Sequence, residues 1–198
     1  VKILLLVWIF LTFNLSTQAS YGIYYGTNSS YAKSLYSKYD LIIMQDYNYS
    51  LFKSYTGKKI CYISVWEFDG TQSELTTLWL TGAVIWYNSE WNSYIMNMWN
   101  TKWINYLLKK ETTLKNLWCN WLFLDTIWQD GYKRQAVTLT QKLKTNWKES
   151  YIVVNNAHNI KNEIVNYIDA YMFENYWDYG TVSWTPDADW YIQLSEEY

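Results

Sequence analysis

The chain has 198 residues, enough for one domain with a sizeable core. Half of the residues are apolar and 21% are aromatic, which excludes a disordered chain. Only 17% are charged, with a formal net charge of −2, and that balance excludes a polybasic nucleic-acid binder.

At the N-terminus Lys2 precedes an apolar run from Ile3 to Leu15, broken only by Thr12 and Asn14 and followed by Ser16-Thr17-Gln18-Ala19. A basic start, a short apolar stretch and a small-residue exit read as a secretory signal peptide over residues 1–19, cleaved after Ala19. A membrane anchor or a hydrophobic first strand is the alternative, but the run is short of the roughly 20 residues a spanning helix needs. Cleavage leaves 15 basic and 18 acidic side chains, a charge of −3, on a domain occupying 20–198. No later segment is long and apolar enough to span a membrane, so the expectation is a secreted protein.

Short apolar runs then recur: Tyr21–Tyr25, Leu41–Met44, Ile60–Val65, Leu122–Leu124 with Trp121 before it, Tyr151–Val154 and Ala170–Phe173. They lack steady alternation, which suits strands buried on both faces of a parallel sheet. Between them, Ser30–Tyr39, Lys102–Leu117, Tyr132–Trp147 and Asn159–Tyr167 carry apolar residues at three- and four-residue spacing, as helices do. Alternation of the two predicts βαβ units of the α/β class. An open doubly wound sheet binding a nucleotide needs a glycine-rich turn after an early strand, and Gly26-Thr27-Asn28-Ser29-Ser30 lacks it. The expected fold is therefore a TIM-type (β/α)8 barrel with about six of its eight βα units present. The helix-like ending at Ser195-Glu196-Glu197-Tyr198 suggests C-terminal truncation. Cys61 and Cys119 lie in or beside apolar runs; they could pair in an oxidising compartment, but buried free thiols are the reading. One His and two separated Cys make no ligand cluster, so neither a metal nor a cofactor is expected.

The residues just past each apolar run carry the chemistry. Leu41–Met44 leads to Gln45-Asp46, Ile60–Val65 through Trp66 to Glu67, and Leu122–Leu124 directly to Asp125. Tyr151–Val154 ends in Asn155-Asn156, and Ala170–Phe173 in Glu174-Asn175. Such ends form the active-site face of a β/α barrel. Helix capping explains any one of them, but accounts poorly for five in succession. A ring of carboxylates suits glycoside hydrolysis, in which one acid protonates the leaving oxygen and another is nucleophile or base. It also suits a divalent metal, which ranks second.

Several segments together resemble glycoside hydrolase family 114, the endo-α-1,4-polygalactosaminidase-like barrels. They are Tyr62-Ile63-Ser64-Val65-Trp66-Glu67, Trp118 through Thr126, Asn155-Asn156 and Phe173-Glu174-Asn175, in family order. The resemblance implies an endo-acting hydrolase of α-1,4-linked galactosamine-containing polysaccharide, with Asp125 and Glu174 as the catalytic pair. Glu174 takes the general-acid role and Asp125 that of nucleophile or base. Asp46, Glu67, Tyr47, Asn155, Asn156, Asn175 and Tyr176 are expected to bind substrate, the carboxylates attracting a cationic amino sugar. Tyr49 and Trp91 are further stacking candidates, with packing as the plainer role. A non-catalytic carbohydrate-binding barrel is the alternative function, and a surface protein exposing aromatics to partners a third. Oligomeric state is left open.

One departure is consistent: Trp66, Trp118 and Trp121, with Trp86 and Trp128, stand where the family has Gly. The composition agrees, with 14 Trp against 7 Gly and one Arg among 16 basic residues. UGA codons that mean glycine in the source organism, rendered as Trp, would produce this pattern. A genuinely Trp-rich carbohydrate binder is the competing explanation.

Overall fold

A computed structural model describes residues 21–127 and 131–172. The signal-peptide segment, Trp128, Phe173 and the expected site residues Glu174, Asn175 and Tyr176 lie outside the described residues.

All six apolar runs form strands, and together they make one parallel sheet. In chain order the elements open with β1 (Tyr21–Tyr24), α1 (Ser29–Ser34), β2 (Leu41–Met44) and β3 (Lys58–Ser64). Next come β4 (Glu67–Phe68), α2 (Gln72–Thr77), β5 (Val84–Asn88), β6 (Ser93–Met96) and α3 (Thr101–Asn116). The last are β7 (Trp121–Asp125), α4 (Lys133–Asn146), β8 (Tyr151–Asn155), α5 (Lys161–Ile164) and β9 (Ala170–Met172). The six-stranded sheet has the order β1-β2-β3-β7-β8-β9, and every adjacent pair is parallel. Strands that neighbour in sequence neighbour in space, as successive βα units require.

Side chains alternate across each strand, so each face has its own packing. Ile42, Met44, Cys61, Ile63, Leu122, Leu124, Ile152 and Val154 belong to the large core shared with the helices. Ile43, Ile60, Phe123 and Val153 form a second cluster on the opposite face, joined by Leu41, Tyr62, Trp121 and Met172. Burial on both faces explains why the runs read as continuous rather than alternating. The helices supply the covering layer: Trp103, Leu107, Glu111 and Leu114 are the buried stripe of α3, and Ala136, Leu139, Thr140 and Leu143 that of α4. At Gly57 the chain enters β3 so close to Asp40 that a Cβ would stand 2.6 Å from its carbonyl oxygen. Only glycine permits that approach, which lets the Lys58 N–H bond the same carbonyl at 2.9 Å.

Four features differ from the sequence reading. Cys61 and Cys119 are not free thiols but a disulfide, with Cα atoms 5.9 Å apart. The pairing of β3 with β7 brings them together: Lys59 donates its N–H to Asn120 Oδ1 and accepts from the Asn120 N–H, both at 2.9 Å. The helix expected over Ser30–Tyr39 is α1 alone, ending at Ser34. The one expected over Asn159–Tyr167 is a single α-turn, α5, between 3₁₀ turns His158–Ile160 and Val165–Tyr167. Finally, β4, β6 and β5 make a separate antiparallel sheet, in that order, inserted between β3 and α3.

The ends of α2 and α3 are built alike. After each C-cap the next residue has a left-handed backbone: Trp79 at φ 60° and Trp118 at φ 61°. Trp79 N–H bonds Thr76 O at 3.1 Å and Leu80 N–H bonds Leu75 O at 2.8 Å. Trp118 N–H bonds Lys115 O at 3.1 Å and Cys119 N–H bonds Leu114 O at 3.2 Å. Both are Schellman motifs, each with its apolar pair (Leu75 with Leu80, Leu114 with Cys119) in the main core.

Candidate active site

The period-2 rule decides which strand-end residues face which way. On the face that carries Ile43, Ile60, Phe123 and Val153, one further step towards the C-terminal ends reaches Gln45, Tyr62 with Ser64, Asp125 and Asn155. Of these, Tyr62 and Asn155 meet at the Asp125 carboxylate. Asp125 Oδ2 accepts from the Tyr62 hydroxyl at 2.8 Å. Asp125 Oδ1 accepts from Asn155 Nδ2 at 2.9 Å and from the Thr126 N–H at 2.8 Å. Three donors from three strand ends fix the orientation of this group. Burial, and then the neighbouring Asp125 charge, push the Tyr62 hydroxyl well above the usual tyrosine range, so it stays a proton donor to Asp125.

Thr126 locks this corner. Its backbone is left-handed at φ 55°, a costly state for a β-branched residue that persists only where the surroundings over-determine it. Thr126 Oγ1 accepts from the Val65 and Trp66 N–H groups at 3.1 and 3.0 Å and shares a hydrogen bond with Ser64 Oγ at 3.0 Å. These bonds tie the end of β7 to the end of β3, where Ser64 pairs with Asp125 in register. Asn156 is also left-handed, at φ 49°, and its N–H bonds Met172 O at 3.0 Å, joining β8 to β9.

The other expected site residues are placed differently. Asp46 opens the 3₁₀ helix Asp46–Phe52 that follows β2, and it meets Lys110 Nζ of α3 at 3.3 Å. Burial is the largest single effect and opposes the Lys110 charge, but Asp46, Tyr106 and Asp69 together outweigh it, and the ammonium is held above its usual value. Glu67 opens β4, two residues past Val65, and accepts from Ser93 Oγ of β6 at 2.8 Å. Tyr47 is exposed and donates its hydroxyl to Tyr25 O at 3.0 Å. The Tyr25 ring in turn packs edge-on against Tyr62, with centroids 5.3 Å apart. Asp125 is thus linked through Tyr62 and Tyr25 to Tyr47, whereas Asp46 and Glu67 have partners of their own. Among the described residues no group of three His, Cys, Asp or Glu could hold a metal ion.

Sequence reasoning missed Tyr62 and Thr126 as site residues. Tyr62 was visible as a polar-tipped aromatic two residues before a strand end, but only the pairing of β3 with β7 aims it at Asp125.

No protein-family model matches the sequence, and no curated protein matches it. Solved structures do. The glycoside hydrolase domain of PelA from Pseudomonas aeruginosa superposes with a TM-score of 0.70 at 19% identity, covering 90% of this chain and 79% of that one. Aspergillus fumigatus Ega3, solved in complex with galactosamine, matches with a TM-score of 0.66 at 12% identity, over 90% of this chain and 73% of that one. The chain folds as part of a TIM-type β/α barrel. The α-galactosidase TtGalA from Thermus thermophilus, solved with stachyose, shares the architecture more loosely, with a TM-score of 0.58 at 8% identity over 79% of this chain and 44% of that one. In the barrel frame Asp125 sits at the C-terminal end of its strand, the face on which such folds build active sites.

Proposed function

We propose that this chain is a secreted glycoside hydrolase domain acting on α-1,4-linked galactosamine-containing polysaccharide, with Asp125 and Glu174 as its two carboxylates. The observation that carries the reading is Asp125 itself, an inward-facing carboxylate at a strand end, held by Tyr62, Asn155 and the Thr126 N–H. A group so oriented serves as nucleophile or as base towards water, while Glu174, two residues beyond β9, protonates the leaving oxygen. The fold shared with the hydrolase domain of PelA and with Ega3 supports the reaction class, and the galactosamine bound to Ega3 supports the sugar. The Cys61–Cys119 disulfide supports an extracytoplasmic setting, as the leader-like N-terminus does.

The test is release of reducing ends from de-N-acetylated galactosaminogalactan. Asp125→Asn and Glu174→Gln should each lower kcat by on the order of 10²–10⁴-fold while leaving the fold intact. Equal turnover in all three proteins would refute the assigned roles. Binding without product release in the unaltered chain would instead favour a carbohydrate-binding barrel.

A further inference from the structure

The tryptophans of this chain fall into two groups by what the fold asks of them. Trp103 is fully buried and its Nε1 donates to Val65 O at 2.9 Å. Trp147 is buried too, with Lys115 Nζ over its ring at 5.7 Å. In both, an indole does what only an indole does, filling core volume or offering a ring face.

Trp79 and Trp118 are the reverse. Each has the left-handed backbone of a Schellman C′ position, the site where glycine is favoured because a Cβ crowds the following carbonyl. Each projects its ring into solvent, at 75% and 76% exposure, so the indole contributes little packing to offset that cost. The two motifs are otherwise complete, with both backbone bonds and the apolar pair present. Trp66 belongs with them for another reason: its Nε1 is buried and makes no hydrogen bond, a costly state for an indole that found its partner at Trp103. Its ring is partly buried against the main core and packs on Tyr132 with centroids 6.4 Å apart, while its backbone N–H bonds Thr126 Oγ1.

We propose that positions 66, 79 and 118 carry glycine in the natural protein, encoded by UGA, and that the strand-end corner where the residue-66 N–H meets Thr126, next to Asp125 in the chain, is then open at position 66. Geometry at 79 and 118 carries the glycine assignment, and the excess of Trp over Gly, 14 to 7, agrees with it. Position 79 bears this mark although neither composition nor family resemblance singles it out. Trp86 and Trp121 bear no such backbone mark: Trp121 stacks on Tyr151 with centroids 4.5 Å apart, and Trp86 lies at the β5 bulge. The opening at 66 rests on the hydrolase reading; the glycine assignment does not.

Two measurements test the assignment. Codons 66, 79 and 118 of the gene should be UGA, with UGG at 103; UGG at 79 or 118 overturns it. Trp79→Gly and Trp118→Gly should each raise the melting temperature by roughly 2–8 °C, whereas Trp103→Gly lowers it. A fall, or no change, at 79 and 118 counts against the proposal. For the opening, the triple variant at 66, 79 and 118 should exceed the double variant at 79 and 118 in kcat/KM on the de-N-acetylated polymer by at least about tenfold. Equal rates overturn the role of position 66. If neither variant binds or cleaves the polymer, the hydrolase reading falls while codons and melting temperatures still decide the glycines.

Discussion

Tyr62 shows how much a single hydroxyl can do at Asp125. A hydrogen bond to a charged group contributes about 1.5–3 kcal/mol, and the phenol makes one at 2.8 Å. Tyr62→Phe keeps the ring packed on Phe123 and Tyr25 and removes the hydroxyl that makes that bond. The expected result is a loss in kcat of roughly 10–100-fold in a protein that still unfolds cooperatively, read by steady-state kinetics beside thermal unfolding. Glu111 is the opposite case, a carboxylate facing inward from α3 and 2% exposed, with Asn146 Nδ2 at 3.4 Å as its hydrogen-bond donor. Burial raises its pKa above the ordinary 4.5, more than Asn146 and Lys115 lower it. Folding therefore favours its protonated form, so its relative contribution is greatest below pH 4.5 and is lost as the pH rises through the folded value. Glu111→Gln should accordingly raise the melting temperature at pH 7, and the gain should vanish below pH 4.5 in a pH series of unfolding curves.

At the scale of elements, the insertion between β3 and α3 is what the sequence reading missed. Strand β4 has only two residues and β6 only four, whereas β5 opens on an apolar run, Val84–Tyr87, that the sequence reading passed over. The turn signal was there in Asn88-Ser89-Glu90-Trp91-Asn92, whose last residue is left-handed at φ 52°. Helix α2 is entered through a capping box that was equally legible, Thr71 followed three residues later by Glu74. Thr71→Ala should cost about 1 kcal/mol, measured as a shift in the denaturant midpoint. The same cap sets a pH dependence. Hydrogen bonds from the Thr71 backbone and side chain hold Glu74 below its ordinary 4.5, so its contribution is present above that value and is lost as the pH falls through the folded value. The strands themselves were read to within two residues, because burial on both sheet faces leaves an unbroken apolar run. Asp46 shows the limit of that reading: the strand has ended and a 3₁₀ helix begun there, so its direction no longer follows the count along the run.

For the molecule as a whole, the Cys61–Cys119 disulfide closes a loop with a sequence separation of 58, which contains the entire inserted sheet, α2 and α3. A cross-link of that span stabilises by about 4 kcal/mol in the chain-entropy estimate. Cys61→Ser with Cys119→Ser, or reduction of the unaltered protein, should lower stability by about that amount in equilibrium unfolding. The α/β class, the six barrel strands, the position of Asp125 at a strand end and the surplus of tryptophan over glycine are all legible in the amino-acid order. They depend on local hydrophobic runs and composition, which are properties of the chain taken one stretch at a time. Other features exist only in the folded chain: two cysteines 58 residues apart are bonded, Tyr62 and Asn155 converge on Asp125 while Asp46 turns to Lys110, and Trp79 and Trp118 occupy glycine's backbone. Strand pairing, register and the sign of φ are relations between segments or turns, and no run of residues states them.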